Sequence, residues 1–89
     1  MSKESATAQS TAALQRGFQR TGWTVNQLWC AAVGIGGGFH HRDIEGITTG
    51  TRAATPAEHD ILAAALNDHF VEHNQDRPVA GWRDLLTLG

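Results

Sequence analysis

Two histidines, His69 and His73, stand four positions apart near the end of a helical pattern, with Glu72 between them. Residues four apart share one face of a helix, so the two imidazoles can bind a single zinc ion. A catalytic zinc site needs a third protein ligand and an open position for water. The sequence therefore offers His69 and His73 as candidate ligands of a small metal site and assigns them no catalytic role.

The letters from His69 to His73 also match the H-x-x-E-H pattern of inverted zinc proteases. Beyond His73 the sequence supplies only Asp76 and Asp84 as carboxylate side chains, and we expect no room for a substrate cleft. A simpler interpretation is that His69 continues the apolar stripe of its helix. There the ring is partly buried, or is charged and faces the negative end of the helix dipole.

The remaining reactive residue types do not assemble into a catalytic group. His40 and His41 are adjacent and point in different directions on a helix, so they cannot readily chelate one ion together. The glycine run 34–38 lacks the third glycine of G-x-G-x-x-G, and no strand precedes it. Cys30 has no second cysteine and no evident activating base. We therefore expect a non-enzymatic protein with no cofactor and no small-molecule substrate.

Composition restricts the class of protein further. The chain has 89 residues, a formal charge of −2, 40% apolar residues and one cysteine. This length allows one small core and excludes most multi-domain enzymes. No apolar run approaches the roughly 18 residues of a membrane span, and no stretch resembles a signal peptide, so we expect a cytoplasmic protein without membrane contact.

Apolar spacing predicts an all-α, single-domain bundle of four to five short helices. We expect a flexible tail over residues 1–12, because Ser, Thr, Ala and charged residues bury too little apolar surface to order it, and one helical domain over 13–89. Up to five helices are predicted. The first covers residues 12–20, the second begins after Thr24 and ends at the glycine run, and the third covers 39–49 and ends at Gly50. The fourth runs from Thr55 to about His73, and the fifth is a short helix from Val79 to Leu86.

The order of helix, glycine turn, short helix and capped helix over residues 24–70 resembles the helix-turn-helix domains of Cro-type repressors. That resemblance implies that residues 39–49 form a recognition helix and that Arg42 and Arg52 contact DNA. Residues 39–49 offer Arg42 alone, opposed by Asp43 and Glu45, and the whole chain is slightly acidic. Nucleic-acid binding normally depends on a basic stripe.

A second resemblance is to small actinobacterial helical proteins. The shared residues are Leu28-Trp29, Gly36-Gly37, Asp43-Ile44, Gly50, Glu58, Asp60, Leu62-Ala63 and Ala65-Leu66-Asn67. These proteins carry no assigned activity, so the resemblance implies a compact helical domain and no chemistry.

The preferred hypothesis is a helical module for protein–protein interaction or regulation, through a protein partner or self-association. Trp29 and Trp82 have the spacing of core residues, whereas Trp23 precedes a helix cap and is the better interface anchor. Val71 projects opposite the main apolar stripe of its helix and is the second candidate interaction residue. DNA binding through Arg42 and Arg52, and metal binding through His69 and His73, remain the alternatives.

Overall fold

Five helices form most of the chain in a computed structural model that describes residues 3–75 and 78–87. They are α1 (Lys3–Thr21), α2 (Val25–Ile35), α3 (His41–Thr49), α4 (Pro56–Glu72) and α5 (Trp82–Thr87). These residues include no strand, which confirms the predicted all-α bundle. Within the same two ranges, no helix is both long and apolar enough to cross a membrane.

Reciprocal caps fix the starts of α2 and α4. The Thr24 hydroxyl accepts a hydrogen bond from the Gln27 N–H at 3.2 Å, and the Gln27 side chain accepts one from the Thr24 N–H at 2.8 Å. Thr55 and Glu58 form the same pair at 3.2 and 2.9 Å, with Pro56 at the first helical position. Each cap lies within four residues of sequence, so the local pattern was sufficient to predict both starts.

Glycines end α2 and α3, as the sequence predicts. Gly36 (φ 109°) and Gly50 (φ 83°) adopt the left-handed conformation, which glycine reaches without steric cost. Helix α3 begins at His41, later than the predicted start at Phe39, because Phe39 enters the core instead. The indole N–H of Trp29 donates to the Phe39 carbonyl at 2.9 Å and holds this connection against α2.

The segment over residues 1–12, for which the sequence predicts a flexible tail, is helical in its described part. Helix α1 begins at Lys3, and Ala6 and Ser10 are buried. Small side chains bury little area each, but they let α1 approach α4 closely, and Ser10 gains a buried hydrogen bond to His59. These contacts with α4 therefore offset the conformational entropy lost when the segment becomes helical, which its own side chains could not do in isolation.

Helix α4 packs against α1, α2 and α5. Leu62, Leu66 and Phe70 are almost fully buried along it, as its predicted apolar stripe requires. The core also includes Leu14, Leu28, Ala32, Phe39, Ile44, Ile47, Ala54, Ala63, Ala65 and Val79. Trp29 is half-buried and packs against this core, in agreement with its predicted core position.

The segment that precedes α5 has no regular secondary structure and is held by side chains of α4. The Asn67 amide donates to the Val79 carbonyl at 2.9 Å and accepts from the Val79 N–H at 3.0 Å. Asp60 accepts from the Trp82 N–H at 2.8 Å. Val79 packs against Gly17 of α1, where a Cβ would lie only 2.7 Å from Val79 Cγ2. The close approach of α1 to this segment therefore depends on glycine at position 17.

Candidate functional site

Trp23 and His69, which the sequence proposed for two different roles, are in contact. Trp23 lies between α1 and α2, and its ring meets the His69 ring edge-on with centroids 4.9 Å apart. Both side chains are half-buried. The His69 ring also lies 4.4 Å from the His73 ring. His69 therefore contacts both Trp23 and His73, beside the last turn of α4.

A shallow groove with a volume of about 240 Å³ lies beside this contact, between α2 and α4. The α2–α4 groove is lined by Trp23, Ala31, Ile35, Ala65, Asp68, His69 and Glu72. Ala31 and Ala65 are too small to fill the space between the two helices. Ile35 forms one wall and keeps 44% of its surface exposed, although its position next to the apolar floor would favour burial.

The opposite rim of the groove is acidic. Asp68 and Glu72 are one turn apart on α4, and among the described residues neither carboxylate has a hydrogen bond or ion pair. Like charges at this spacing destabilise a helix by roughly 0.2–0.5 kcal/mol. Glu72 is also the last residue of α4, where the helix dipole disfavours an anion. The helix itself gains nothing from these two charges.

His69 and His73 lie side by side at the end of α4, with ring centroids 4.4 Å apart, but the described residues supply no third ligand. His73 Nδ1 is 2.8 Å from the His69 carbonyl oxygen, an acceptor, so Nδ1 carries the proton and donates. Across residues 3–75 and 78–87, no group of three or more His, Cys, Asp or Glu side chains is placed to hold a metal ion. The described residues thus offer two imidazoles, which is fewer than structural or catalytic zinc sites use.

The two arginines proposed to contact DNA lie in different environments. Arg42 is exposed on α3, on a surface that also exposes His41, Glu45 and Thr49. Arg52 is partly buried, and its Nη2 donates to both carboxylate oxygens of Glu58, at 3.1 and 2.9 Å. Because Glu58 neutralises its charge, Arg52 is poorly suited to a phosphate contact.

The pairing with Arg52 makes the stability of the fold depend on the ionisation of Glu58. Burial raises the pKa of Glu58, but hydrogen bonds from Arg52 and Thr55 and the charge of Arg52 outweigh it, so the pKa lies below its ordinary value. A folded pKa below the unfolded one contributes stability above the unfolded pKa, and that stability is lost as the pH falls through the folded pKa. The effect is small, because the Arg52 and Glu58 side chains keep 38% and 23% of their surface exposed.

We therefore expect Glu58→Gln to lower the free energy of unfolding at pH 7 by up to about 1 kcal/mol. Gln still accepts the capping hydrogen bond, so the change removes mainly the charge. The deficit should shrink as the pH falls below the ordinary Glu value of 4.5, because the wild-type carboxylate is then protonated as well. Urea unfolding at pH 7 and pH 3 measures the difference, with the exposed Glu45→Gln as control. An equal deficit at both pH values would contradict this account.

His59 is a buried polar residue that the sequence analysis did not single out. Its side chain is 0% exposed, Nδ1 is 2.7 Å from the Ser10 hydroxyl oxygen, and Nε2 is 2.7 Å from the Ala80 carbonyl oxygen. A carbonyl only accepts, so Nε2–H donates to Ala80 and Nδ1 accepts from Ser10. The available signal was the spacing of His59, Ala63 and Asn67, which places two polar residues on one face of α4.

The Ser10–His59 contact has the geometry of a nucleophile and its base, but not the access that catalysis requires. Ser10 is 1% exposed and His59 is 0% exposed, so a substrate cannot reach the hydroxyl or the imidazole without local unfolding. The contact joins α1, α4 and the segment before α5. We interpret this contact as one that stabilises the packing of these three parts of the fold.

Val71 is exposed, as the sequence predicts, with 44% of its surface accessible. It does not line the α2–α4 groove, which runs along a different face of α4 from Val71. The two predicted interaction residues are thus separated, because Trp23 lines the groove and Val71 does not. Ile35, Asp68 and Glu72 line the groove and were not singled out, because only the packing of α2 against α4 brings them together.

Neither a protein-family model, nor a curated protein, nor a solved structure matches this chain. The resemblances to Cro-type repressors and to small actinobacterial proteins therefore stay predictions. A function for this chain has to be inferred from its own side chains.

Proposed function

We propose that the protein is a non-enzymatic helical interaction module that binds a partner protein through the α2–α4 groove. The observation that supports this best is the combination of a half-buried tryptophan, Trp23, with the exposed apolar wall formed by Ile35. Tryptophan is a favoured interface anchor, because its rigid ring buries a large area at a low cost in side-chain entropy. A partner side chain that entered the groove would cover both residues.

Chemical alternatives find less support. Ser10 and His59 are buried and satisfied by each other and by Ala80, which argues against a hydrolytic role for them. DNA binding would depend on Arg42 and Arg52, of which Arg52 is committed to Glu58. A metal site at His69 and His73 would need a ligand from outside the described residues.

Two variants of α2 distinguish binding in the groove from binding elsewhere on the surface. Ile35 and Val33 lie on the same helix and are equally exposed, at 44%, but only Ile35 lines the groove. We expect Ile35→Glu to weaken partner binding at least about tenfold, because a glutamate there would be buried without a counter-charge. Val33→Glu should leave binding unchanged.

The test is a pull-down from the source cells with the wild-type chain and both variants, after thermal melts have shown that all three fold. Light scattering over a range of concentrations registers a second copy of the chain as the partner, and Ile35→Glu should then abolish the increase in mass. If Val33→Glu and Ile35→Glu reduce binding equally, or if neither does, the groove is not the binding surface.

A further inference from the structure

The acidic rim of the groove differs from the other charged positions on α4. At the start of the helix, Glu58 lies where the dipole favours an anion, caps the backbone and pairs with Arg52. At the end of the helix, Asp68 and Glu72 repel each other, Glu72 faces the unfavourable end of the dipole, and neither has a partner among the described residues. Residues that oppose the local rules without a compensating contact are expected at functional positions.

The size of the groove limits what can occupy it. Its volume of about 240 Å³ lies below the roughly 300–1,000 Å³ of typical small-molecule sites. The floor and one wall are apolar, from Ala31, Ala65 and Ile35, and the opposite rim carries the two carboxylates. An apolar side chain next to a cationic one matches this arrangement, because the first fills the floor and the second reaches the rim.

We propose that the groove binds a partner polypeptide segment that presents a large apolar side chain flanked by Lys or Arg. The inference rests on the proposed function and specifies the chemistry of its partner. A cation between Asp68 and Glu72 would relieve their mutual repulsion and the opposition of Glu72 to the helix dipole. Phosphate-bearing surfaces, such as DNA or anionic lipid, carry the wrong charge for this rim.

Two synthetic amphipathic peptides of identical leucine pattern, one with Lys and one with Glu on the polar face, provide the probe. Fluorescence anisotropy of the labelled peptides is measured with the wild-type chain and with two charge reversals, Glu72→Lys in the groove and Glu45→Lys on the exposed surface of α3. We expect the wild type to bind the Leu/Lys peptide at least about fivefold more tightly than the Leu/Glu peptide, with a smaller difference at high salt.

Glu72→Lys should remove or reverse this preference. Glu45→Lys should keep it, which separates the rim from the net charge of −2. Loss of the preference in both variants would overturn the inference, since net charge would then explain it. If both peptides bind equally and Ile35→Glu abolishes that binding, the charge preference is wrong, but the groove is still the binding surface and the proposed function stands. No binding of either peptide up to about 1 mM would likewise overturn the inference, while the pull-down decides the proposed function independently.

Discussion

Replacing His59 with leucine is expected to lower the free energy of unfolding by about 2–4 kcal/mol, the largest single effect we predict for this chain. Leucine is apolar and of comparable size, so the main loss is not a cavity. The Ser10 hydroxyl and the Ala80 carbonyl would each lose a partner in a region where His59 is 0% exposed. A buried polar group without a partner costs about 1–3 kcal/mol.

Urea unfolding measures this change, with Gln19→Leu on the exposed surface of α1 as the control, which should alter stability by less than about 0.5 kcal/mol. The contact itself is tested by a double-mutant cycle with Ser10→Ala. In the double variant one of the two unsatisfied groups is absent, so the combined loss should be smaller than the sum of the single losses. Strict additivity would show that Ser10 and His59 do not stabilise the fold together.

The second large effect is expected at Asn67. Its side chain makes two hydrogen bonds to the backbone of Val79, so it satisfies both polar backbone groups of a buried residue that lies outside the helices. Asn67→Leu leaves the N–H and the carbonyl of a buried residue without partners and should cost about 2 kcal/mol. Because the two bonds hold the segment before α5, the loss should be concentrated there.

Hydrogen exchange of the Val79 amide is the direct measurement. We expect its protection to fall by at least about tenfold in Asn67→Leu, whereas the amides in the centre of α4 lose only what the lower global stability requires. Asn26→Leu, at an exposed position of α2, is the matched control. If Val79 and the centre of α4 lose protection to the same extent, the segment unfolds with the whole domain and the local account is wrong.

The candidate binding surface could be predicted only in part. Trp23 stood out in the sequence because it precedes a helix cap. Ile35 belongs to α2, and Asp68 and Glu72 to α4, and no spacing within either helix indicates that these residues share one groove. Val71 was equally visible in the sequence, yet it lies on another face of α4. Whether a candidate such as Trp23 or Val71 lines the groove therefore depends on how α2 packs against α4.

The sequence by itself determined the helix boundaries that depend on near neighbours: the caps at Thr24 and Thr55, the glycine ends at Gly36 and Gly50, and the apolar stripe of α4. These features involve residues within about four positions of one another, so their energies are encoded locally. Only the tertiary structure decided that α1 extends back to Lys3, that Ser10 meets His59, and that Asn67 holds Val79. The small and polar residues in those contacts gain stability only from partners far along the chain, and no local pattern specifies such partners.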